Sequence, residues 1–477
     1  MYLNEELKKI LGEKIVFSNQ MDRSVYRTDI GHLVEGMPEV VVVPRTTEDV
    51  RKVVIFANEK GTPVTIRGGG TTWNGESVSN GGILMDMKGM NKVIEYNVKE
   101  KWVTAEAGMT WIKLYQYLKE HDLSFRSAPD NLVSTVGGSI STCGYGFHCT
   151  KYGSLADHVL GLEVVLPDGK VLQRGPKEIG MRMYGADPLP LFLSGYGTFG
   201  IITKATFRCY SYDERSPSHL VGLLYNKFEI EDAVEDMLLM SKNCNPDILY
   251  FGSTTPEFQM MYKDMLIEEA HKLGCTYKRK IPLMVQLYSA YLRKFGKKTP
   301  SRFNFVFAGY DGMDNKKKLR CVKSASRGNA LYEFSVDDEY LVRGRALWRI
   351  FTQKGAIPCF SDCVVPASCA GEMIRFGITE LEKNGFNQIA LYGLLTQNKS
   401  AIGIGFYTGL PLDRVSEYEG VRKKIAEKVV KFGGVIYKYG GIRKNTAKES
   451  IGEGYNLMHL LKNKLDPNDI LNRGVLF

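Results

Sequence analysis

At 477 residues, with 44% hydrophobic and 24% charged residues, the chain has room for two or three domains and sits near the soluble globular average. No apolar run approaches the roughly 18 residues of a membrane span. The net charge of +10 is modest for this length, and alone it selects no partner among anionic substrates, nucleic acid and membrane surface.

The N-terminus, Met1 to Lys14, mixes Glu and Lys through Leu and Ile and reads as an amphipathic helix. It lacks the unbroken apolar core of a signal peptide, so a cytoplasmic address is the default expectation. Val40 to Val43 is a β-branched strand closed by Pro44. Thr46 or Thr47 caps a helix through Ala57 that stops near Gly61, and Val64 to Arg67 is the next strand. This β-α-β unit delivers the chain into Gly68-Gly69-Gly70-Thr71-Thr72, where unhindered amides beside Arg67 make a concavity suited to an anion such as a diphosphate. No apolar helix follows, so the run is not a Rossmann loop.

Strands are expected over Ile83–Met87, Lys92–Tyr96 and Trp102–Ala107, and Thr110 caps a helix over Trp111–His121. A second glycine-dense run follows Pro129. Between Gly137 and Gly146 it holds four glycines and four small hydroxyl or thiol residues, a segment suited to lying against a large flat ligand. Leu160–Leu166 and Lys170–Gln173 form a hairpin around Pro167-Asp168-Gly169. A third small-residue run, Ser194 to Gly200, leads into the strand Ile201–Cys209.

Past a polar boundary at Ser211–Pro217 the glycines thin out. Helices over Ile230–Met240 and Arg414–Lys431 alternate with strands over Phe303–Ala308, Ile389–Tyr392 and Ala401–Tyr407. The chain ends in an amphipathic helix through Tyr455, Leu457, Leu460 and Leu461 and a turn around Asp466-Pro467. Nine cysteines, odd in number and scattered, argue against a disulfide framework, and none has zinc-site spacing, so buried thiols and no metal are expected.

In motif order, Pro44 with Asp49-Val50, Arg67 to Thr72, Val136 to Gly146, Tyr152-Gly153, Gly161 to Val165, Gly197 to Thr203 and the terminal Leu465 to Gly474 resemble the vanillyl-alcohol oxidase / p-cresol methylhydroxylase superfamily, which includes glycolate oxidase and D-lactate dehydrogenase flavoproteins. The resemblance implies an α+β flavoprotein of two domains. A PCMH-type FAD-binding domain would span 1–212, completed by 455–477, and a cap domain with an antiparallel sheet would span 213–454. It implies that Arg67, Gly68, Gly69, Gly70, Thr71 and Thr72 hold the FAD diphosphate. Pro129, Thr135, Gly137, Gly138, Ser141, Thr142 and Gly146 would line the cofactor, Ile201 would lie near the adenosine, and Asn472 near the flavin edge. Several relatives tether flavin through a histidine in the first loop. Thr71 and Thr72 stand there instead, so noncovalent FAD is expected.

The same resemblance implies an oxidoreductase that takes a hydride from a CH–OH group, with a 2-hydroxy acid as the leading substrate class. The hydroxy-acid enzymes carry a GHxGxGNxH-like metal motif, whereas this chain has Ile402 to Tyr407 without histidine. Gly355 to Pro366 and Tyr439 to Arg443 resemble the phenol-oxidising branch, but Ile442 and Ser154 replace its tyrosine and aspartate. Arg443, Tyr407 and Tyr439 are therefore the candidate catalytic residues, with Arg443 able to hold a carboxylate bidentately. Oxidation of a phenolic or sugar-type alcohol stays open, as does a flavin-binding electron-transfer subunit of a larger complex. The expected partner is a small molecule, not nucleic acid; a homodimer is compatible with the sequence, and the electron acceptor is unspecified.

Overall fold

The structure, a computed structural model, describes residues 3–127, 129, 131–146, 148–175, 187–212, 218–225, 227, 229–258, 302–311, 316–336, 356–438, 440–441 and 444–477. The chain divides into two compact units. One comprises 1–145, 154–212 and 438–477; the other comprises 146–153 and 213–437. The return to the first unit at Lys438 comes earlier than the expected boundary near 455, and an inner segment, 146–153, belongs to the second unit.

In the first unit, β1 (Val16–Phe17), β2 (Val40–Val42), β3 (Val64–Arg67) and β4 (Ile83–Asp86) form a sheet of order β1-β2-β4-β3. β2 and β3 both run parallel to β4, as a β-α-β crossover requires. The intervening helix, Thr47–Lys60, begins with a capping box in which Thr46 Oγ1 accepts from the Asp49 amide. It ends at Gly61 with φ +63°, the left-handed turn that glycine adopts freely. Its Val50, Val53, Val54 and Ala57 pack with Val40, Val42, Val64 and Ile83 into one core. β3 is the edge strand, and the C-terminal segment covers it: Val64 N donates to Ile470 O (2.7 Å) and Asn472 N to Val64 O (2.9 Å).

A second sheet is antiparallel throughout. It comprises β5 (Val93–Asn97), β6 (Trp102–Glu106), β8 (Val159–Val165), β9 (Val171–Arg174) and β10 (Ile201–Arg208), in the order β5-β6-β10-β8-β9. Two short strands, β7 (Leu123–Ser124) and β11 (Tyr210–Ser211), pair beside it. The terminal helix, Glu453–Leu465, inverts its sequence pattern: Leu457 and Leu460 are 61% and 63% exposed, while Lys462 is 3% exposed. The inversion has a polar cause. Lys462 Nζ pairs with buried Asp466 and donates to Thr198 O and Leu471 O.

The second unit is built on one antiparallel sheet of β12 (Ser218–Leu224), β13 (Ile248–Thr254), β14 (Phe303–Asp311), β15 (Asn329–Val336), β16 (Ile357–Pro366), β17 (Ala390–Leu395), β18 (Ala401–Leu410) and β19 (Val435–Ile436). Its order is β15-β12-β14-β13-β17-β18-β16-β19. Helices Ile230–Asn243, Ala370–Lys383 and Val415–Lys431 pack on the face that carries Phe251, Ser361 and Phe406. Within this unit Cys244 and Cys321 form a disulfide, which corrects the expectation of thiols throughout. Spacing carries no signal for a bridge between residues 77 positions apart.

Segment 146–153 docks on the same unit. Thr150 Oγ1 donates to Leu395 O (2.9 Å), and Tyr152 OH to Asp311 Oδ2 (3.0 Å). His148 Nε2 faces Asp311 Oδ1 at 3.4 Å.

Candidate functional site

The chain leaves β3 through Gly68–Thr72, and three contacts explain why this turn is glycine. A Cβ on Gly68 would overlap Thr135 Oγ1, and one on Gly69 would stand 2.9 Å from Val133 O. Gly70 has φ +63°, and a Cβ there would overlap the Arg67 guanidinium. The turn is thus held between the Val133–Gly138 backbone and Arg67. The amides of Gly69, Gly70, Thr71 and Thr72 find no acceptor among the described residues, and the Thr71 hydroxyl likewise has no partner among them. Successive half-buried N–H groups left over in one turn form an anion-binding concavity.

Arg67 itself is folded beneath the turn. Its guanidinium donates to Ser77 O (3.1 Å) and Thr28 O (2.9 Å) and lies over the Tyr26 ring at 5.6 Å. It shapes the loop from behind. Thr72 Oγ1 donates to Asp29 Oδ2 (3.0 Å) and lies within hydrogen-bonding distance of Ser77 Oγ (3.1 Å).

The second glycine run opens as a short helix, Val136–Ser141, capped by Thr135 Oγ1, which accepts from the Gly138 amide (3.4 Å). A Cβ on Gly137 would stand 2.7 Å from Ala107 Cβ. Thr142 Oγ1 donates to Gly138 O (3.1 Å), so its hydroxyl proton is engaged; the Ser141 hydroxyl has no partner among the described residues. Pro129 is buried and packs at 3.1 Å from where a Cβ of Gly144 would stand. Gly146 falls in the second unit and accepts from Cys149 N (3.0 Å).

The third run joins the second through Ser194 N to Ile140 O (3.1 Å) and Tyr196 N to Ser141 O (3.0 Å). The buried Thr198 hydroxyl finds no partner among the described residues. Asn472, at φ +42°, ties the first and third runs together: its Oδ1 accepts from Ile66 N (2.8 Å) and its Nδ2 donates to Tyr196 O. Both ends of the amide are engaged by backbone, which makes Asn472 a brace between loops. Ile201 opens β10, pairs with Val165, and lies in the core with Val64 and Ile470.

In the second unit, strand register puts Tyr407, Phe360 and Ala390 opposite one another, and Tyr392, Gly405 and Asp362 likewise. Paired residues share a face, so Tyr250, Tyr392, Tyr407, Phe360 and Asp362 all lie on the face away from the three helices. Tyr407 meets Phe360 edge-on at 4.4 Å and Tyr392 at 4.9 Å. Asp362 Oδ1 lies 2.6 Å from the place a Cβ would take on Gly405. Tyr439 and Arg443 lie outside the described residues. Gly440 and Gly441 between them press against Glu76 and Asn74: a Cβ on Gly440 would stand 2.8 Å from Glu76 Cγ, and one on Gly441 would overlap Asn74 O. Ser154 caps the turn of helix that follows it, its hydroxyl donating to Asp157 (2.7 Å).

Residues 38–175 match the FAD binding domain family, and residues 322–476 match the C-terminal domain of FAD linked oxidases. The chain belongs to the FAD-linked oxidases of the vanillyl-alcohol oxidase / p-cresol methylhydroxylase superfamily. The chain is 26% identical over 466 residues to the mitochondrial D-lactate dehydrogenase [cytochrome] of Arabidopsis thaliana, across 93% of this chain and 74% of that one. It is 24% identical to the glycolate oxidase subunit GlcD of Bacillus subtilis (strain 168), across 100% of this chain and 96% of that one. A solved structure of alkyldihydroxyacetonephosphate synthase superposes with a TM-score of 0.74 at 19% identity, covering 98% of this chain and 84% of that one, a likeness of fold.

The protein is an FAD-dependent oxidoreductase. The loops of its first unit suit the cofactor: four unengaged amides, the Thr71 and Ser141 hydroxyls and the orphaned Thr198 hydroxyl are neutral donors, which suit phosphate and ribityl oxygens without bulky side chains. Two residues escaped the sequence reading. Asp29 sits in a polar stretch with no periodicity, and its partners in the turn, Thr72 and Gly75, are more than 40 positions away. Asp362 is a lone carboxylate inside an apolar strand, and that interruption was the available signal. Among the described residues no group of three His, Cys, Asp or Glu side chains could hold a metal, and no helix is long and apolar enough to cross a membrane.

Proposed function

We propose that this FAD-linked oxidase oxidises the CH–OH carbon of a 2-hydroxy acid to the 2-oxo acid, with FAD bound noncovalently. The observation that carries the reading is the near-full-length likeness to proteins named for D-lactate and glycolate. Bound FAD supplies the two-electron acceptor. The amides of Gly69 to Thr72 hold its diphosphate from a preformed turn. Gly137, Gly138, Ser141 and Thr142 line its middle, with Gly68 and Thr135 closing the two runs on each other. Pro129, Gly146 and Ile201 frame that binding region, and Asn472 and Arg67 hold the loops in place.

Substrate chemistry needs an anion holder and a proton acceptor. Arg443 takes the carboxylate in this reading, Tyr439 and Tyr407 orient the hydroxyl, and Asp362 accepts its proton as hydride leaves the carbon. The shared sheet face of Asp362 and Tyr407 supports that pairing. Anaerobic titration with D-lactate and glycolate tests the substrate class: bleaching of the flavin absorbance is expected, and an unchanged spectrum with every 2-hydroxy acid rejects it. Arg443→Ala should raise KM for carboxylate substrates selectively, and Asp362→Asn should lower kcat about 100-fold or more with substrate binding retained.

A second reading rests on the aromatic face of Tyr250, Tyr392, Tyr407 and Phe360, which suits an aryl-bearing or phenolic alcohol. Such an alcohol bleaching the flavin where D-lactate does not would favour it. For the cofactor linkage, acid precipitation should leave the flavin in the supernatant. The proposed cytoplasmic address is tested by cell fractionation.

A further inference from the structure

We propose that Asp29 is the positioning residue of the FAD diphosphate turn, acting through Thr72 and Gly75 to fix the direction in which the turn presents its amides. This rests on the reading of Gly68–Thr72 as the diphosphate site and adds to it a residue that never touches the cofactor.

The carboxylate closes the turn from behind. Asp29 Oδ1 accepts from the Gly31 amide (3.0 Å), which fixes the side chain to its own loop. Oδ2 accepts both the Thr72 hydroxyl (3.0 Å) and the Gly75 amide (2.8 Å). One oxygen thus gathers the two ends of Thr72–Gly75, while Ile30 N donates to Gly70 O (3.1 Å) from the same flanking loop. Because the single hydroxyl proton of Thr72 points at Asp29, Thr72 is a strut, and the donors left for an anion are the amides of Gly69 to Thr72.

The placement of a charge here favours a positioning role over a stabilising one. Asp29 is 2% exposed and has Glu76 as an acidic neighbour; Arg67 is the nearby cation, and Tyr26 and Asp86 lie beyond it. Burial, with Glu76 adding to it, pushes the Asp29 carboxyl up to about 6, so the fold holds this anion reluctantly. An amide would be easier to bury but cannot reproduce the contacts. In Asp29→Asn, with the amide oxygen on Gly31 N, the new NH2 group would face the Gly75 N–H, donor against donor.

The test measures FAD binding by flavin fluorescence and melting of the apoprotein in parallel. Asp29→Asn combines two effects of opposite sign: loss of the negative charge would tighten binding of an anion, and loss of the strut would loosen it. The expected result is FAD affinity at least tenfold weaker with an apoprotein melting temperature unchanged or raised. Thr72→Val, which alters no charge, should weaken FAD similarly; Thr72→Ser should restore it; and Asp29→Asn/Thr72→Val should be no worse than the weaker single variant. Unchanged or tighter binding in Asp29→Asn, or additive losses in the double variant, overturns the proposal. Should Asp29→Asn fail to fold, wild-type affinity in Thr72→Val overturns it equally. Gly70→Ala, whose Cβ would overlap the Arg67 guanidinium at φ +63° and so displace the amides of the turn, separates this inference from the reading beneath it. If it loses FAD while the Asp29 and Thr72 variants do not, only the positioning role fails; if all three bind as wild type, the diphosphate turn itself is misassigned.

Discussion

At the scale of single residues, the chain accepts unfavourable burial where loop geometry gains from it. Asp29 is the clearest case, and its sign can be worked out. Its carboxyl titrates at about 6 in the fold against an ordinary value of 3.8, so protonation favours the folded state. The penalty of the ionised form is present above the folded value and is relieved as pH falls through it. Apoprotein stability from this group should therefore rise between about pH 7.5 and pH 4.5, by on the order of 2–3 kcal/mol. Glu163, whose pKa is lowered by Thr47, Lys204 and Thr203 against the raising effect of burial, works in the opposite direction. The measurement is thus the difference between wild type and Asp29→Asn in denaturant melts across that range, and a difference that does not vary with pH contradicts it. No sequence pattern announces such a residue. An aspartate in Arg27-Thr28-Asp29-Ile30 looks like turn chemistry, and its role exists only once Thr72 and Gly75 have been brought to it.

At the scale of elements, the glycine runs were legible because their cause is local: a backbone packed against backbone tolerates no Cβ, and the composition records that directly. The Thr46 capping box, the Gly61 terminus and most strand centres were legible for the same reason. The terminal helix was not. Its periodicity points Leu457 and Leu460 inward, yet they face solvent and Lys462 goes in, because a buried carboxylate and two carbonyls from separate loops wait for it. Lys462→Met keeps the volume and leaves Asp466, 1% exposed, with the amides of Ile470 (3.0 Å) and Leu471 (2.9 Å) as its remaining side-chain partners among the described residues. Urea unfolding should show a loss of about 3–5 kcal/mol. A loss below about 1 kcal/mol would mean that the ion pair is dispensable. Loosening here should also reach Asn472, whose side chain ties Ile66 to Tyr196.

At the scale of the whole molecule, the sequence marked the change in character near residue 212 but not the path of the chain. The disulfide between Cys244 and Cys321 was hidden because pairing depends on where the end of one helix meets another, not on spacing. It also sits awkwardly with a cytoplasmic address, where thiols are kept reduced. Thiol titration of the chain unfolded without reductant should find two fewer reactive groups than the reduced, unfolded chain, since unfolding exposes the buried free thiols in both cases. Reduction should cost the second unit about 2–4 kcal/mol, read as a lower melting temperature; equal thiol counts in both states would show that the bridge does not form. Segment 146–153 carries the broadest consequence. The chain passes between its two units at 145/146, 153/154, 212/213 and 437/438, so the second unit is not a contiguous insert. Recombination that exchanges only 213–437 between relatives would import a sheet whose Asp311 and Leu395 meet a foreign His148, Thr150 and Tyr152. Any workable graft of the second unit therefore has to carry the small finger along with the sheet that grips it.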